Sequence, residues 1–181
     1  MVSKTIAIIQ ARTTSVRLPG KVMYKINGIP LIEILHKRLK KSKKLDNIVI
    51  ATTQKSTKLI NFLRKKKIEY FVGSETNVLN RYYKAAIKYK ADNIVRITAD
   101  GILADGNLID EFIKKYEIIN VDYLSNTEPV SYPDGLDIEI FSFKSLKFAN
   151  FNSNKKYDKE HVTPFIRSHK KFKKLNILNN K

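Results

Sequence analysis

A short polar segment near the amino terminus carries the side chains best suited to bind an anion. Between positions 10 and 21 it holds three fixed cations and several hydroxyl groups. These polar residues are Gln10, Arg12, Thr13, Thr14, Ser15, Arg17 and Lys21. Two guanidinium groups, one ammonium group and nearby hydroxyl or backbone N–H donors can hold a polyanion such as a triphosphate. A solvated basic loop is the alternative interpretation, because lysine is abundant throughout the chain.

The segment matches neither of two common phosphate-binding loops. A Walker A loop needs glycine five residues before Gly20 and serine or threonine after Lys21, where this chain has Ser15 and Val22. No Gly-x-Gly-x-x-Gly sequence occurs either. Phosphate binding by this loop would therefore depend on arginine, lysine and backbone N–H groups.

The residues before the loop predict the element that positions it. Residues 6–9 are apolar, rich in isoleucine and too few for a buried helix, which is typical of a central strand in an α/β sheet. Ligands bind at the carboxyl ends of strands in open α/β sheets. The basic loop is therefore expected at the ligand-binding edge.

Strand and helix patterns then alternate along the chain, which predicts a parallel sheet covered by helices. Strands are predicted at residues 47–51, 69–72, 93–98, 122–125 and 136–140, with another beginning near 175. Apolar positions spaced as in helices occur at 31–39, 59–63, 78–87 and 108–113. Pro30 is expected in the first turn of the first helix.

Asp100 follows the predicted strand 93–98 and is the candidate metal ligand. A carboxylate opposite a cationic loop can hold Mg²⁺ while the cations hold phosphate oxygens, because Mg²⁺ takes only one or two protein carboxylates. A helix cap is the alternative role for Asp100. Asp105 is expected to cap the helix that carries the apolar positions 108–113.

Composition narrows the class of protein. A chain of 181 residues is in the usual range for a single domain, here residues 1–181. Its net charge of +18 would suit a nucleic-acid binder. However, only seven of its 35 basic residues are arginine, and the lysines are scattered over predicted helix surfaces. Nucleic acid is therefore not the expected partner. The sequence contains no cysteine, no long apolar segment and no signal peptide, so a cytoplasmic location without membrane insertion is expected.

Seven blocks together resemble the cytidylyltransferases that make CMP-activated acidic sugars, in particular the spore-coat polysaccharide biosynthesis protein F type. The blocks cover nearly the whole chain in the family's order, at residues 10–21, 50–53, 73–83, 95–100, 125–127, 132–137 and 160–167. The resemblance implies a Rossmann-like three-layer nucleotidyltransferase fold with a mostly parallel central sheet. It also implies Mg²⁺-dependent transfer of CMP from CTP to a sugar or sugar acid for surface polysaccharide synthesis, with release of pyrophosphate.

The resemblance assigns roles to particular residues. The catalytic set that it implies is Arg12, Arg17, Lys21 and Asp100, with Asp100 as the metal ligand. The implied nucleotide-binding set is Gln10, Ala11, Arg12, Ser15, Thr53, Arg81 and Thr98. The implied substrate-binding set is Tyr132, Asp134, Asp137 and His161. The alternatives for Asp137 are a supporting role at the metal site and an ordinary polar position on the strand face. The helical pattern itself points Arg81 away from most apolar positions, as a surface residue, and His161 could equally be a structural hydrogen-bond donor.

The sequence also departs from the family pattern. Asn80 replaces the usual aspartate before Arg81, and Ala99 and Gly101 replace usual neighbours of Asp100. Family members usually continue through a final strand and helix that this chain is expected to lack, including an aspartate that completes the metal site. A catalytically decayed nucleotide-binding or interaction module of the same fold is therefore the alternative function, and a homodimer is compatible with both.

Overall fold

The computed structural model describes residues 3–14 and 18–179 and contains an α/β sheet with helices on both faces. Within those residues the strands are β1 Thr5–Gln10, β2 Lys25–Ile26, β3 Ile29–Pro30, β4 Asn47–Thr53, β5 Tyr70–Gly73, β6 Asn93–Thr98, β7 Tyr123–Ser125, β8 Glu139–Ser142 and β9 Lys174–Asn176. The helices are α1 Leu31–Leu39, α2 Thr57–Lys65, α3 Val78–Lys88, α4 Gly106–Ile119, α5 Phe143–Asn152, α6 Lys156–His161 and α7 Pro164–Ser168.

The large sheet has seven strands in the order β5-β4-β1-β6-β8-β7-β9. Strand β8 is antiparallel to both of its neighbours, and every other pairing in this sheet is parallel. The mostly parallel sheet is thus confirmed, and β1 is a central strand. Because β1, β4 and β6 are parallel, their carboxyl ends meet at the same edge.

Alternate residues of β1 point to two apolar cores, one on each face of the sheet. Ala7 and Ile9 pack in the core that contains residues of α1, α2 and α4, whereas Ile6 and Ile8 pack in the core that contains residues of α3, α5 and α7. All four side chains are fully buried. Helix, sheet and helix therefore form the three layers that the resemblance implied.

Several predicted boundaries differ from the structure. Strand β8 begins at Glu139 rather than at residue 136, and Pro30 lies in β3 before α1 rather than in its first turn. In α1 the buried apolar residues are Ile32, Leu35 and Leu39. Helical spacing alone leaves the phase of such a stripe open by one residue, and the packing partner decides it.

A short hairpin of β2 and β3 leads into α1 and was not predicted. Its turn contains Asn27 and Gly28, both with positive φ, at 48° and 79°. An Asn-Gly pair is the usual sequence of such a tight turn, so this signal was present in the sequence. Among the helices that the structure describes, none is long and apolar enough to cross a lipid bilayer.

Candidate functional site

A cleft of about 280 Å³ lies at the carboxyl ends of β1 and β6. Eight residues that the sequence analysis selected line it together, namely Gln10, Ala11, Arg12, Lys21, Arg81, Thr98, Asp100 and His161. The first three come from the end of β1 and the loop after it, and Thr98 and Asp100 come from the end of β6. Parallel pairing of β1 with β6 places these two groups side by side, with Gln10 opposite Thr98 in register. Ser15 and Arg17 lie outside the described residues.

Lys21 and Asp100 face each other across this cleft. The Lys21 Nζ atom lies 2.6 Å from Asp100 Oδ2. Lys21 is held in place by a turn at Gly20, whose φ is 71° and whose N–H donates to the Thr13 carbonyl oxygen at 2.9 Å. Partial burial would raise the pKa of Asp100, but hydrogen bonds from Lys21 and Thr98 and the Lys21 charge hold it below its usual value. Asp100 is therefore ionised at neutral pH and able to bind a cation.

Arg81 is buried beside the cleft, with 2% of its surface exposed, so the pattern-based expectation of a surface side chain is wrong. The turn between β5 and α3 covers it, and its Nη1 atom donates to the Ser74 carbonyl oxygen. A Cβ atom at Gly73 would lie 2.8 Å from Arg81 Cγ, so only glycine leaves room for the arginine. Burial lowers the pKa of Arg81, but an arginine remains charged. A buried cation thus borders the cleft.

Arg96 lines the cleft and was missed as a functional residue. It forms an ion pair with Glu139, and its Nη2 atom donates to Gln10 Oε1 at 3.2 Å. Burial opposes the charge on Arg96, yet the Glu139 carboxylate raises the pKa of Arg96 above its usual value. The pair therefore orients Gln10. One signal was visible in the sequence, since Arg96 interrupts the apolar strand between Val95 and Ile97.

Glu75 was also missed, and it holds the start of the basic loop. Thr14 Oγ1 donates to Glu75 Oε1 at 2.7 Å. Burial would raise the pKa of Glu75, but hydrogen bonds from Thr14 and Thr53 hold it below its usual value. The resulting carboxylate lies near Arg12 and offsets part of the loop's positive charge.

Four of the predicted site residues do not line the cleft. Thr53 is buried behind it, with its hydroxyl 3.3 Å from that of Ser56. The Tyr132 ring packs edge-on against Phe112, with centroids 5.8 Å apart. Asp134 is exposed on the loop before β8. Asp137 lines a neighbouring second cavity of about 170 Å³, which shares Arg96, Thr98 and His161 with the cleft.

The carboxylates at this edge suit a metal ion that arrives with a ligand. Within residues 3–14 and 18–179, no group of three or more histidine, aspartate or glutamate side chains could hold an ion alone. Asp100 is half-exposed in the cleft. The pKa of the nearby Asp137 is raised mainly by burial, then by the negative charges of Asp134 and Glu139, and also by that of Asp100. Mg²⁺ commonly binds through one or two carboxylates together with phosphate oxygens and water. The donor set therefore fits Mg²⁺ bound with a polyphosphate.

The three-layer fold is that of the α/β nucleotidyltransferases. It places a basic loop after the first strand and a carboxylate after β6. A solved structure of a cytidylyltransferase from Leptospira borgpetersenii superimposes with a TM-score of 0.92 and 31% sequence identity, covering 99% of this chain and 78% of that one. The family model described as cytidylyltransferase matches residues 6–179. The chain belongs to the cytidylyltransferase family.

The chain is also similar to three further proteins, one of which is named a cytidylyltransferase. The chain is 44% identical over 165 residues to the uncharacterized protein MJ1063 of Methanocaldococcus jannaschii, covering 90% of this chain and 67% of that protein. It is 35% identical over 169 residues to the spore coat polysaccharide biosynthesis protein SpsF of Bacillus subtilis, covering 90% and 69%. It is 29% identical over 167 residues to the 3-deoxy-manno-octulosonate cytidylyltransferase of Bdellovibrio bacteriovorus, covering 91% and 65%. The chain thus spans about two thirds of each relative's length.

Proposed function

We propose that this chain transfers CMP from CTP to a sugar or sugar acid, with release of pyrophosphate, in the synthesis of a surface polysaccharide. The observation that carries the proposal is that Arg12, Lys21, Arg81 and Asp100 line one cleft at the carboxyl edge of a cytidylyltransferase sheet. Relatives named for polysaccharide biosynthesis and for a sugar-acid cytidylyltransferase support the type of acceptor.

In this proposal the cations of the cleft hold the triphosphate of CTP. Arg12 and Lys21 neutralise phosphate oxygens. The family resemblance assigns the same role to Arg17 of this loop, and it assigns a contact with the nucleotide to Ser15. An acceptor hydroxyl oxygen bonds to the α-phosphorus while the bond from that phosphorus to the β-phosphate bridging oxygen breaks. The hydroxyl proton passes to solvent, and pyrophosphate leaves. Such a reaction mainly requires in-line positioning and neutralisation of developing charge, so no protein nucleophile is needed.

Asp100 is the proposed ligand of Mg²⁺. Asp137 is close enough for the negative charge of Asp100 to raise the pKa of Asp137. When bound, Mg²⁺ would neutralise phosphate charge and favour departure of pyrophosphate. Gln10, Ala11 and Thr98 border the cleft and are assigned contacts with the nucleotide. Asp137 and His161 border the neighbouring second cavity, where the acceptor would lie.

Thermal stabilisation by nucleotides tests the proposal first. A ligand at 100 times its dissociation constant stabilises the folded state by about 2.7 kcal/mol, which is easily measured. We expect stabilisation by CTP, but not by UTP, ATP or GTP, and a larger effect when Mg²⁺ is present. Asp100→Asn should remove the Mg²⁺ increment. Asp105→Asn should keep it, because Asp105 lies outside the cleft lining, where it caps α4 and pairs with Arg38 at 3.7 Å.

Turnover is then measured as pyrophosphate released from CTP with a panel of sugars and sugar acids. Release that needs CTP, Mg²⁺ and one acceptor class supports the proposal. If no nucleotide stabilises the chain, the proposal is contradicted, and the alternative function, an interaction module of the same fold, is favoured instead.

We also propose a homodimer, which the family resemblance allows, and a cytoplasmic location, which suits the cysteine-free sequence. Light scattering of the purified chain tests the dimer, and fractionation of cells that produce it tests the location. A monomeric mass at concentrations where turnover is measured would rule out a dimer requirement.

A further inference from the structure

A groove of about 430 Å³ lies beside helix α5. Three phenylalanine rings supply its apolar lining, and three exposed lysines supply positive charge. The phenylalanines are Phe148, Phe151 and Phe172, and the lysines are Lys144, Lys147 and Lys171. We call these six residues the α5 surface. None of them lines the cleft, so the α5 surface is separate from the candidate nucleotide site.

The α5 surface begins at the edge of the sheet opposite the cleft. Strand β8 runs antiparallel to β6, so Ser142 at the end of β8 pairs with Asn93 at the amino end of β6. Helix α5 starts directly after Ser142, whereas the cleft lies at the carboxyl end of β6. A partner on the α5 surface therefore does not have to cover the cleft.

The lysines of the α5 surface have charge available for a partner. Among the residues that the structure describes, none of the three lysines forms an ion pair. Lys171 Nζ instead lies 3.9 Å from the centroid of the Phe148 ring. The groove also contains Asp122, whose carboxylate accepts a hydrogen bond from the Lys173 backbone N–H at 2.9 Å. One carboxylate against three ammonium groups leaves the groove positively charged.

The surrounding sequence adds to this charge. Residues 143–179 contain ten lysine or arginine residues and only two acidic residues, Asp158 and Glu160. Asp158 is buried, and Glu160 lines the cleft. Neither of them lines the groove, so this segment does not offset the positive charge of the α5 surface.

Phe151 gives the α5 surface an exposed apolar group. This residue is 66% exposed, and its ring packs edge-on against Tyr83 with centroids 5.4 Å apart. Phe148 and the buried Phe172 continue the apolar lining inward, with ring centroids 5.7 Å apart. An exposed aromatic ring among lysines is typical of surfaces that bind anionic membranes.

The residue types distinguish between the candidate partners. Lysine is depleted from the interfaces between proteins, which argues against a protein partner. Every cation of the α5 surface is a lysine, whereas recognition of nucleic acids favours the planar fork of arginine. Lysines beside an aromatic ring complement lipid phosphates and acyl chains, because the ammonium groups pair with phosphate while the ring leaves water.

We propose that the α5 surface docks this chain on an anionic lipid bilayer. In this arrangement the three lysines contact lipid phosphates, and Phe151 enters the boundary between the headgroups and the acyl chains. Such binding is peripheral and needs no membrane-spanning helix. The cleft stays open to solvent, because it lies at the other edge of the sheet. This inference goes beyond the proposed function and does not depend on it.

Sedimentation with vesicles tests the docking without any nucleotide. Vesicles of phosphatidylcholine alone are compared with vesicles of phosphatidylcholine and phosphatidylglycerol in equal parts, at physiological ionic strength. Each lysine close to an anionic membrane strengthens binding about fivefold, so we expect at least about tenfold tighter binding to the anionic vesicles. Equal binding to both kinds of vesicle, or binding to neither, overturns the proposal.

Substitutions show whether the α5 surface or the total charge carries the binding. The first triple variant is Lys144→Gln, Lys147→Gln and Lys171→Gln. The matched control is Lys41→Gln, Lys58→Gln and Lys65→Gln. The control removes the same charge at exposed positions after α1 and on α2, helices that pack on the other face of the sheet. We expect the first variant to weaken binding to anionic vesicles at least about tenfold and the control to weaken it less than about threefold. Equal losses would show a diffuse charge effect and overturn the proposal.

Phe151 tests the apolar part of the contact. Phe151→Ser should weaken binding to anionic vesicles about tenfold, since a buried phenylalanine ring is lost. Phe151→Leu keeps a large apolar side chain and should bind nearly as the unsubstituted chain does. Thermal melts confirm that each variant folds, because Phe151 also contacts Tyr83. Unchanged vesicle binding by a folded Phe151→Ser variant would contradict the proposed insertion.

Two further probes test the other classes of partner. A single-stranded oligonucleotide stands for nucleic acid, and a copolymer of glutamate and tyrosine stands for an acidic protein. Binding of each is compared between the unsubstituted chain and the first triple variant. A loss of binding that is larger for vesicles than for either probe supports the bilayer. A larger loss for the oligonucleotide or the copolymer would assign the α5 surface to that partner instead and overturn the proposal.

Discussion

Arg96 on β6 and Glu139 on β8 are register partners in adjacent antiparallel strands, and their side chains form a buried ion pair. Tyr123 on β7 also donates its hydroxyl to Glu139 at 2.6 Å, and Arg96 donates to Gln10 on β1. The pair therefore joins four neighbouring strands directly beneath the cleft. It connects the parallel half of the sheet to the part that contains the antiparallel strand.

Glu139→Gln should strongly destabilise the fold. The substitution leaves the Arg96 charge buried without a counterion, and breaking such a pair typically costs about 3–5 kcal/mol. The measurement is the free energy of unfolding from urea denaturation. Glu111→Gln is the control, because Glu111 is an exposed residue of α4. Equal stability of the two variants would show that Arg96 does not depend on Glu139.

The same pair predicts how stability varies with pH. Burial would raise the pKa of Glu139, but the Arg96 charge and hydrogen bonds from Thr163 and Tyr123 hold it below its usual value of 4.5. The folded carboxyl therefore binds fewer protons than the unfolded one, so its contribution is complete above pH 4.5 and is lost as the pH falls through the lower folded pKa. We expect unfolding free energy to fall more steeply below pH 4.5 in the unsubstituted chain than in Glu139→Gln. Parallel pH profiles would count against the assignment.

Lys21→Ala should lower turnover about 10²- to 10³-fold, the usual effect of removing one group that stabilises charge developing in a reaction. The reason is that Lys21 lies in the cleft, 2.6 Å from Asp100, where the phosphates of CTP would bind. Pyrophosphate release is measured at saturating CTP, with a thermal melt to confirm folding. Lys25→Ala is the matched control, because Lys25 is exposed in the neighbouring strand β2. Unaltered turnover in Lys21→Ala would remove Lys21 from the proposed catalytic set.

Gly73→Ala should weaken nucleotide binding by displacing Arg81. The added Cβ would lie 2.8 Å from Arg81 Cγ and 2.8 Å from the Phe71 ring. Overpacking of this kind typically costs about 1–3 kcal/mol of stability. We expect both a lower melting temperature and a higher dissociation constant for CTP, measured by thermal melts and titration.

A double variant shows whether Arg81 mediates that effect. Arg81→Ala removes the side chain that the new Cβ would strike, so the two substitutions together should cost less stability than the sum of the separate changes. Additive losses would mean that Gly73 acts through Phe71 or the backbone instead.

Much of the architecture was predictable because it depends on local periodicity. The isoleucine-rich run of β1, the position of β6 at residues 93–98 and the capping role of Asp105 follow from residues close together in sequence, and the structure confirms all three. The basic loop and Asp100 were expected at one edge because parallel strands end on the same side of a sheet. Their meeting as Lys21 and Asp100 agrees with that reasoning.

The sequence by itself therefore determined the alternation of strands and helices and the edge where the charged groups gather. Only the tertiary structure decided the burial of Arg81, the pairing of Arg96 with Glu139 and the separate lining of the second cavity. The physical reason is that these features depend on strand order, on the register between residues 43 positions apart, and on the turn that covers the Arg81 side chain. Periodicity describes each element alone, whereas such contacts exist only once the elements have packed.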